Sequence, residues 1–313
     1  MTQPTGGSLE PQGPVAETMA DLWWLMLALG GAVFVLVVVL LVVGLFRKRS
    51  FAESDSTSDA RLTRAWLVGG GVVLPVVVLI VVLGATVAAM RETGTDAPPD
   101  ALDVEVVGHQ WWWEIRYPEE GVTTANELHI PVGRPVALRL TSVDVIHSFW
   151  VPRLAGKIDM LPERVNTLVL EADEPGVHDS KCAEFCGLQH AHMDLVVVAE
   201  GADRFDAWID AQAEAASAPV AAAALRGAQL FLEGDCAMCH TVRGTPADAT
   251  TGPDLTHVAS RPTIGAGAVP TSRANLMSWV RDPHVIKEGV KMPASDLTDE
   301  ELAAVVAYLQ TLE

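Results

Sequence analysis

The chain has 313 residues, half of them hydrophobic, and 40 acidic side chains against 21 basic ones, for a net charge of −19. With no basic stripe, Gly-rich phosphate loop or nucleophile elbow, it offers nothing for nucleic acid and little for chemistry performed alone. All 4 cysteines fall inside two metal-type motifs, which leaves none for a disulfide.

Residues 1–21 are rich in Pro and Gly and read as a disordered N-terminus. Residues 22–46 are uncharged and mostly apolar; at about 1.5 Å per residue they span roughly 37 Å, more than a hydrocarbon core of about 30 Å. A second such run covers residues 65–90, where Pro75 is tolerable in a membrane. The first run lacks a basic n-region and is too long for a signal peptide, so the mature chain is expected to keep two transmembrane helices. The loop 47–64 between them carries Arg47, Lys48, Arg49, Arg61 and Arg64, whereas residues 1–21 contain no Lys or Arg. The positive-inside rule puts this loop in the cytoplasm and both termini outside.

Residues 101–200 contain short β-branched and aromatic runs separated by turns such as PEEG, PVGRP and DEPG, which argue for an antiparallel sandwich. Trp111, Trp112 and Trp113 fall on a predicted strand, so Trp111 and Trp113 should share a face. At least one of them belongs to the sheet core, given the area a tryptophan buries. His109, His129 and His178 read as structural, satisfied by hydrogen bonds.

The stretch CAEFCGLQHAHM packs Cys182, Cys186, His190 and Met193 into 12 residues, with Gly187 allowing a sharp turn. Thiolate and thioether suit copper(I), and imidazole suits copper in either state. One imidazole leaves a paired copper centre short of nitrogen, and His147 in DVIHSFWVP is the natural further supplier. His192 reads as solvated or as supporting the ligands from behind. Together with GHQWWWE and GKIDMLPERVN, these motifs make residues 20–200 resemble subunit II of haem-copper cytochrome c oxidases, whose cupredoxin domain holds the binuclear CuA centre.

The resemblance implies that Cys182 and Cys186 bridge both coppers, that His147 and Met193 complete one, and that His190 and the carbonyl of Glu184 complete the other. It further implies a magnesium ion shared by the Glu184 side chain with subunit I, and Trp111 as the residue that receives electrons near CuA; packing in the sheet is the alternative for Trp111. The partners implied are subunit I, subunit III, a c-type cytochrome or other periplasmic donor, and the bacterial plasma membrane. Members of that family often carry a glutamate for proton uptake at the start of the second membrane helix. Here RLTRAWLVGGGVVLP has no carboxylate, which leaves Asp59 or subunit I to serve.

Residues 202–224 turn Ala-rich, with a helix in FDAWIDAQAEAA followed by a linker containing Pro219. Residues 225–313 resemble a small class I cytochrome c. In CAMCH, Cys236 and Cys239 supply two thiols for covalent attachment of haem c and His240 supplies an iron ligand; a zinc reading would need a second ligand pair. Candidate second ligands are Met277, Met292, His257 and His284. Met277 sits on a helix-spaced apolar face in NLMSWV, whereas Met292 sits in the Gly/Pro-punctuated loop GVKMPAS, which favours Met292. Thr298 and Glu301 form a capping box for the last helix.

The expected fold is therefore a two-helix transmembrane hairpin, an all-β cupredoxin Greek-key sandwich and an all-α cytochrome c domain. The function expected is delivery of electrons through haem c and CuA to subunit I for proton-pumping oxygen reduction. Rivals are the CuA subunit of a nitric oxide reductase and a membrane-anchored electron shuttle. A copper chaperone of the Sco class would lack His190, Met193, the second membrane helix and the haem. Quinol oxidase subunits lack the copper ligands. The acidic outer domains suit a basic donor, or plain solubility.

Overall fold

The computed structural model describes residue 7 and residues 9–46, 56–94 and 97–313. Two apolar helical stretches come first. Helix α1 runs Pro14–Phe46; its first residue is a proline, whose missing N–H costs nothing in the first turn. Residues 14–21, expected to be disordered, thus extend the helix, and the segment before it is tied down as well. The Gln12 amide donates to the Arg153 carbonyl at 2.8 Å, and Gln12 in turn accepts from the Asp173 amide at 2.9 Å.

Helix α2 (Ser56–Val68) passes through a π-helical turn at Gly69–Val73 into α3 (Leu74–Glu92). Pro75 removes one amide and crowds the carbonyl four residues back, at Gly71, and a widened turn in a glycine run accommodates both defects. The stretch Ala60–Glu92 is long and apolar enough to cross a membrane, as is α1. Part of the presumed loop 47–64 is therefore helical from Ser56. Arg47, Lys48 and Arg49, on which sidedness rests, lie outside the described residues.

The sandwich contains β1 (Leu102–His109), β2 (Trp112–Tyr117), β3 (Val122–Ala125), β4 (Glu127–Pro131), β5 (Val136–Ser142), β6 (His147–Trp150), β7 (Lys157–Met160), β8 (Asn166–Leu170), β9 (Gly176–Cys182) and β10 (Asp194–Glu200). One sheet has the order β3-β2-β1-β5-β8 and the other β4-β10-β9-β6-β7. The expectation of antiparallel pairing throughout is corrected at two places, since β1 runs parallel to β5 and β4 to β10. Both parallel pairs join strands separated by chain that visits the opposite sheet. Alternating burial along β5 and β10 gives each sheet one core face. That core includes the fully buried Trp113, Tyr117 and Phe149, each worth about 1.5–3 kcal/mol of transfer energy.

Helix α4 (Ala202–Ala213) follows β10 and closes one end, with Phe205 and Ile209 in the sandwich core and Trp208 stacked 3.9 Å from His129. The end of α4 and its exit at Glu214 are tied to the C-terminal domain. Arg243 donates to the Gln212 and Ala213 carbonyls, and His257 Nε2 lies 3.1 Å from the Glu214 carbonyl.

The C-terminal domain is built on α5 (Ala222–Glu233), a small ribbon of β11 (Thr263–Ile264) and β12 (Val269–Pro270), then α6 (Arg273–Arg281) and α7 (Asp299–Leu309). The Thr298/Glu301 capping box opens α7. Helices α5 and α7 meet at Gly227, where a Cβ would run into the Ala304 carbonyl and lie 2.9 Å from Tyr308 Cβ. Gly227→Val should therefore cost this domain at least about 1–3 kcal/mol, the usual penalty of overpacking. Calorimetry of the full chain should show that domain's transition fall by roughly 5–20 °C, at about 4–8 °C per kcal/mol for a domain of this size.

Candidate functional site

Three strand ends converge on the copper-type donor set. His147 opens β6 and Cys182 closes β9, and Phe149 pairs with Cys182 across these strands. The loop after Cys182 turns back at Gly187, whose φ of 114° suits a residue without a side chain, and returns through His190 to Met193 at the foot of β10. Within this loop Cys182 Sγ lies 3.7 Å from Cys186 Sγ, 3.8 Å from His147 Nδ1 and 3.3 Å from the Glu184 carbonyl. Cys186 Sγ lies 3.7 Å from His190 Nδ1 and 3.9 Å from Met193 Sδ. All six expected ligands are thus gathered at one spot. Among the described residues, His147, Cys182 and Cys186 alone bring three His, Cys or carboxylate donor atoms within 4.8 Å of one another.

The electrostatics of this set fit a cation. The Cys182 thiol is held well below its ordinary range, first by the hydrogen bond from Cys186 and then by those from His147 and backbone, against the effect of burial. Cys186 is pushed up by the same partner, because a second thiolate beside the first is repelled. Full deprotonation of both sulfurs needs positive charge between them, and soft sulfur with imidazole is the donor chemistry that copper takes.

Asp144, not singled out by motif reading, orients the set from behind. Its Oδ1 lies 3.0 Å from His147 Nε2, so that Nδ1 faces the sulfurs. Burial disfavours protonating His147, but the bonds to Asp144 and Cys182 outweigh it and raise its pKa. Asp144 itself stays ionised: burial opposes this, but His147, the Gln110 and Val145 amides and Lys291 hold its carboxyl well below the usual range. Its place three residues before His147 was the available signal, since ligating histidines usually give their other nitrogen to a carboxylate or carbonyl.

The haem-type residues line a cavity of about 540 Å³, within the roughly 300–1,000 Å³ usual for cofactor pockets. Cys239, His240 and Met292 all face it, amid Leu255, Val258, Ile264 and Leu276. Cys236 lies in the short turn Asp235–Met238 that Cys239 follows, half-buried against the domain core, and burial pushes its thiol up. His240 Nδ1 meets the Pro253 carbonyl at 2.8 Å, which fixes the tautomer with the lone pair on Nε2, the form that ligates iron. Burial keeps the ring neutral, against the pull of that carbonyl.

Two further features fit a porphyrin. A Cβ at Gly252 would stand 2.7 Å from His240 Cε1, so glycine lets the loop close over the ring. Arg261 lines the cavity with its Nε buried and without a partner among the described residues, a donor suited to a porphyrin carboxylate. Of the other candidates for second ligand, Met277 packs against the domain core and His257 is bonded to the Glu214 and Glu313 carbonyls. His284 lies in the short turn Pro283–Val285; neither Met277 nor these histidines line the cavity.

The remaining wall of the cavity comes from the sandwich, through His109, Gln110, Trp111, Trp112 and Asp144. Trp111 falls in the turn before β2 rather than on the strand, so it does not alternate with Trp113 as expected. Its indole Nε1 donates to the Cys186 carbonyl at 3.0 Å, beside Gln110 Nε2 at 2.9 Å. Trp113 is the core residue, and its Nε1 reaches the Met193 carbonyl at 3.3 Å. His109 stacks on Trp112 and bonds Glu114, His129 bonds Glu200, and His192 bonds Gln189. His178 is the exception to the structural reading, because both of its ring nitrogens are buried without partners among the described residues. Burial pulls its pKa down to about 4, so it stays neutral.

Residues 120–200 match the family model described as cytochrome C oxidase subunit II, periplasmic domain, and residues 224–313 match that of cytochrome c. Cytochrome c oxidase subunit 2 of Alkalihalophilus pseudofirmus is 35% identical, over 98% of this chain and 90% of the relative. That of Bacillus subtilis is 31% identical, over 99% and 93%. Among solved structures, the periplasmic domain of subunit II of cytochrome oxidase of Bradyrhizobium japonicum is 27% identical, covering 37% of this chain and 96% of that one at a TM-score of 0.36.

Proposed function

The chain belongs to the cytochrome c oxidase subunit 2 family, and on that premise we propose that it takes electrons from a c-type donor at its own haem and relays them through binuclear CuA to subunit I. It is a membrane-anchored subunit of a haem-copper oxidase, with a copper-type sandwich and a cytochrome c domain in one chain. Bound in these sites, haem c and paired copper supply reversible one-electron exchange, and subunit I reduces oxygen to water with proton pumping.

This chain's residues hold and orient those groups. Cys182 and Cys186 would hold the copper pair through their sulfurs, with His147, Met193, His190 and the Glu184 carbonyl as its further donors. Cys236 and Cys239 would tether the haem through their thiols, and His240 and Met292 would offer it an imidazole and a thioether. The same family resemblance would place a magnesium ion at the Glu184 side chain, shared with subunit I. The basic residues 47–49 favour a cytoplasmic loop, with both metal domains on the outer face of the plasma membrane. Subunit III and a soluble c-type cytochrome are the further partners.

The observation that carries this reading is the shared wall. Trp111 lines the cavity that holds His240 and Met292, and its indole also bonds the carbonyl of Cys186. Fusing donor to acceptor in this way replaces a diffusive encounter with an intramolecular one, raising effective concentration to the millimolar range or above.

The detergent-purified complex is expected to contain two coppers and one covalent haem for each copy of this chain, a-type haem in its partner, and oxygen uptake with a reduced c-type donor. Nitric oxide turnover without oxygen uptake would move the chain to a nitric oxide reductase. Metal-loaded chain isolated without any large haem protein would make it a shuttle.

A further inference from the structure

Lys287 keeps only 2% of its surface exposed. A lysine that deep needs partners for its ammonium, and both of those found are main-chain carbonyls from different domains. Nζ donates to Trp111 of the sandwich at 2.8 Å and to Gly265 of the helical domain at 2.7 Å. Burial pulls its pKa down to about 8, and the Asp194 carboxylate works against that fall.

The surrounding seam is a fitted surface. The Asp194 amide, at the start of β10, donates across it to the Ala266 carbonyl at 3.1 Å. Gln189 Nε2 donates to the Glu288 carbonyl at 2.7 Å, and Lys291 Nζ meets Asp144 Oδ2 at 3.0 Å. Gly267 and Gly289, at φ of 82° and 79°, bring the helical domain in close. A Cβ on Gly267 would stand 2.7 Å from Asp194 Cβ, and one on Gly289 would stand 2.9 Å from Leu188 Cδ2.

Lys291 is two-thirds exposed, and an exposed pair of this kind contributes little. Lys287 differs because water cannot replace its bonds without opening the seam. Its two acceptors are also well placed: Trp111 is the residue whose indole holds the Cys186 carbonyl, and Gly265 lines the cavity beside it.

We propose that Lys287 is the positioning residue that seats the haem domain on the copper domain, clamping the Trp111 and Gly265 carbonyls so that the cavity of His240 and Met292 stays closed against Trp111. Its value for catalysis rests on the electron route proposed above, but the clamp itself does not.

The test is hydrogen exchange on the assembled oxidase, read at the Asp194 amide, alongside laser-initiated electron transfer from haem to copper. Lys287→Met keeps the stem and removes the ammonium. Exchange at Asp194 should rise roughly ten- to a hundredfold, the factor that a buried charged hydrogen bond represents. The methionine–iron band and the copper content should stay native, and internal electron transfer should slow. Lys287→Arg, which retains a charged donor, should keep more of the protection; this variant alone is decisive if the Met variant does not assemble. Native protection in Lys287→Met, or protection in Lys287→Arg as poor as with no donor, would overturn the clamp. Raised exchange without any haem-to-copper transfer in either protein would leave the clamp standing and remove the electron route.

Discussion

Cys182→Ser should leave a folded chain that no longer holds copper, and electron flow from the attached haem to oxygen should fall to background. The side chain lies between the other sulfur, an imidazole and the Glu184 carbonyl, all within 3.8 Å. A serine hydroxyl in that place is a hard oxygen donor that does not ionise near neutrality, so it can neither bridge nor balance a pair of copper ions. Asp144→Asn makes the graded comparison. It leaves every ligand in place but takes away the carboxylate behind His147, and loss of such a partner typically costs roughly 10–100-fold in metal affinity or activity. Elemental analysis should therefore find copper absent in Cys182→Ser and present but easily chelated in Asp144→Asn, with the covalent haem unchanged in both. Full copper in Cys182→Ser would mean that the donor set closes around something other than Cys182. Because copper binds only the folded sandwich, its loss should also lower the thermal midpoint of that domain.

Much of this centre was legible because its chemistry is local. Cys182, Cys186, His190 and Met193 occupy one loop, and soft donors at that density have few other uses; His147 followed from the need for more nitrogen. Cys239, His240 and Met292 likewise come together at one cavity while Met277 packs against the core, in keeping with a Pro/Gly loop set against an apolar helical face. What stayed hidden depends on contacts between distant segments. Composition carries no register, so the parallel pairs β1–β5 and β4–β10 could not be read from strand residues that look alike in either direction. Trp111 leaves the strand because the chain turns at residues 110 and 111, and three consecutive tryptophans suggest no such break. Lys287 and Lys291 are four residues apart in similar loop sequence, yet one is buried and the other mostly exposed. Only the docking of the second domain separates them.

Met292→Leu is the substitution with the largest expected effect on the haem. A thioether ligand raises the reduction potential of haem iron, and axial ligands as a class span about 0.8 V. Leucine matches the bulk and keeps the loop apolar while removing the donor sulfur, so the potential should drop on the order of 100 mV or more. At about 59 mV per factor of ten for one electron, a donor of fixed potential would then hold roughly fiftyfold less of the haem reduced. Each reduced haem would be a stronger reductant toward copper, so internal transfer should not be what slows. The loss should appear in reduction by the external donor, and steady-state oxygen uptake should fall for that reason. Met277→Leu is the control that separates the ligand from the packing. That side chain sits against the core formed with Leu276 and Val280, does not line the cavity, and its replacement is nearly volume-conserving, at a cost below about 1.5 kcal/mol. Its redox titration should overlay the native curve. A native potential in Met292→Leu would take the sixth position away from Met292 whatever the activity did, whereas a lowered potential with slow external and unimpaired internal transfer fits only a thioether bound to iron at that loop.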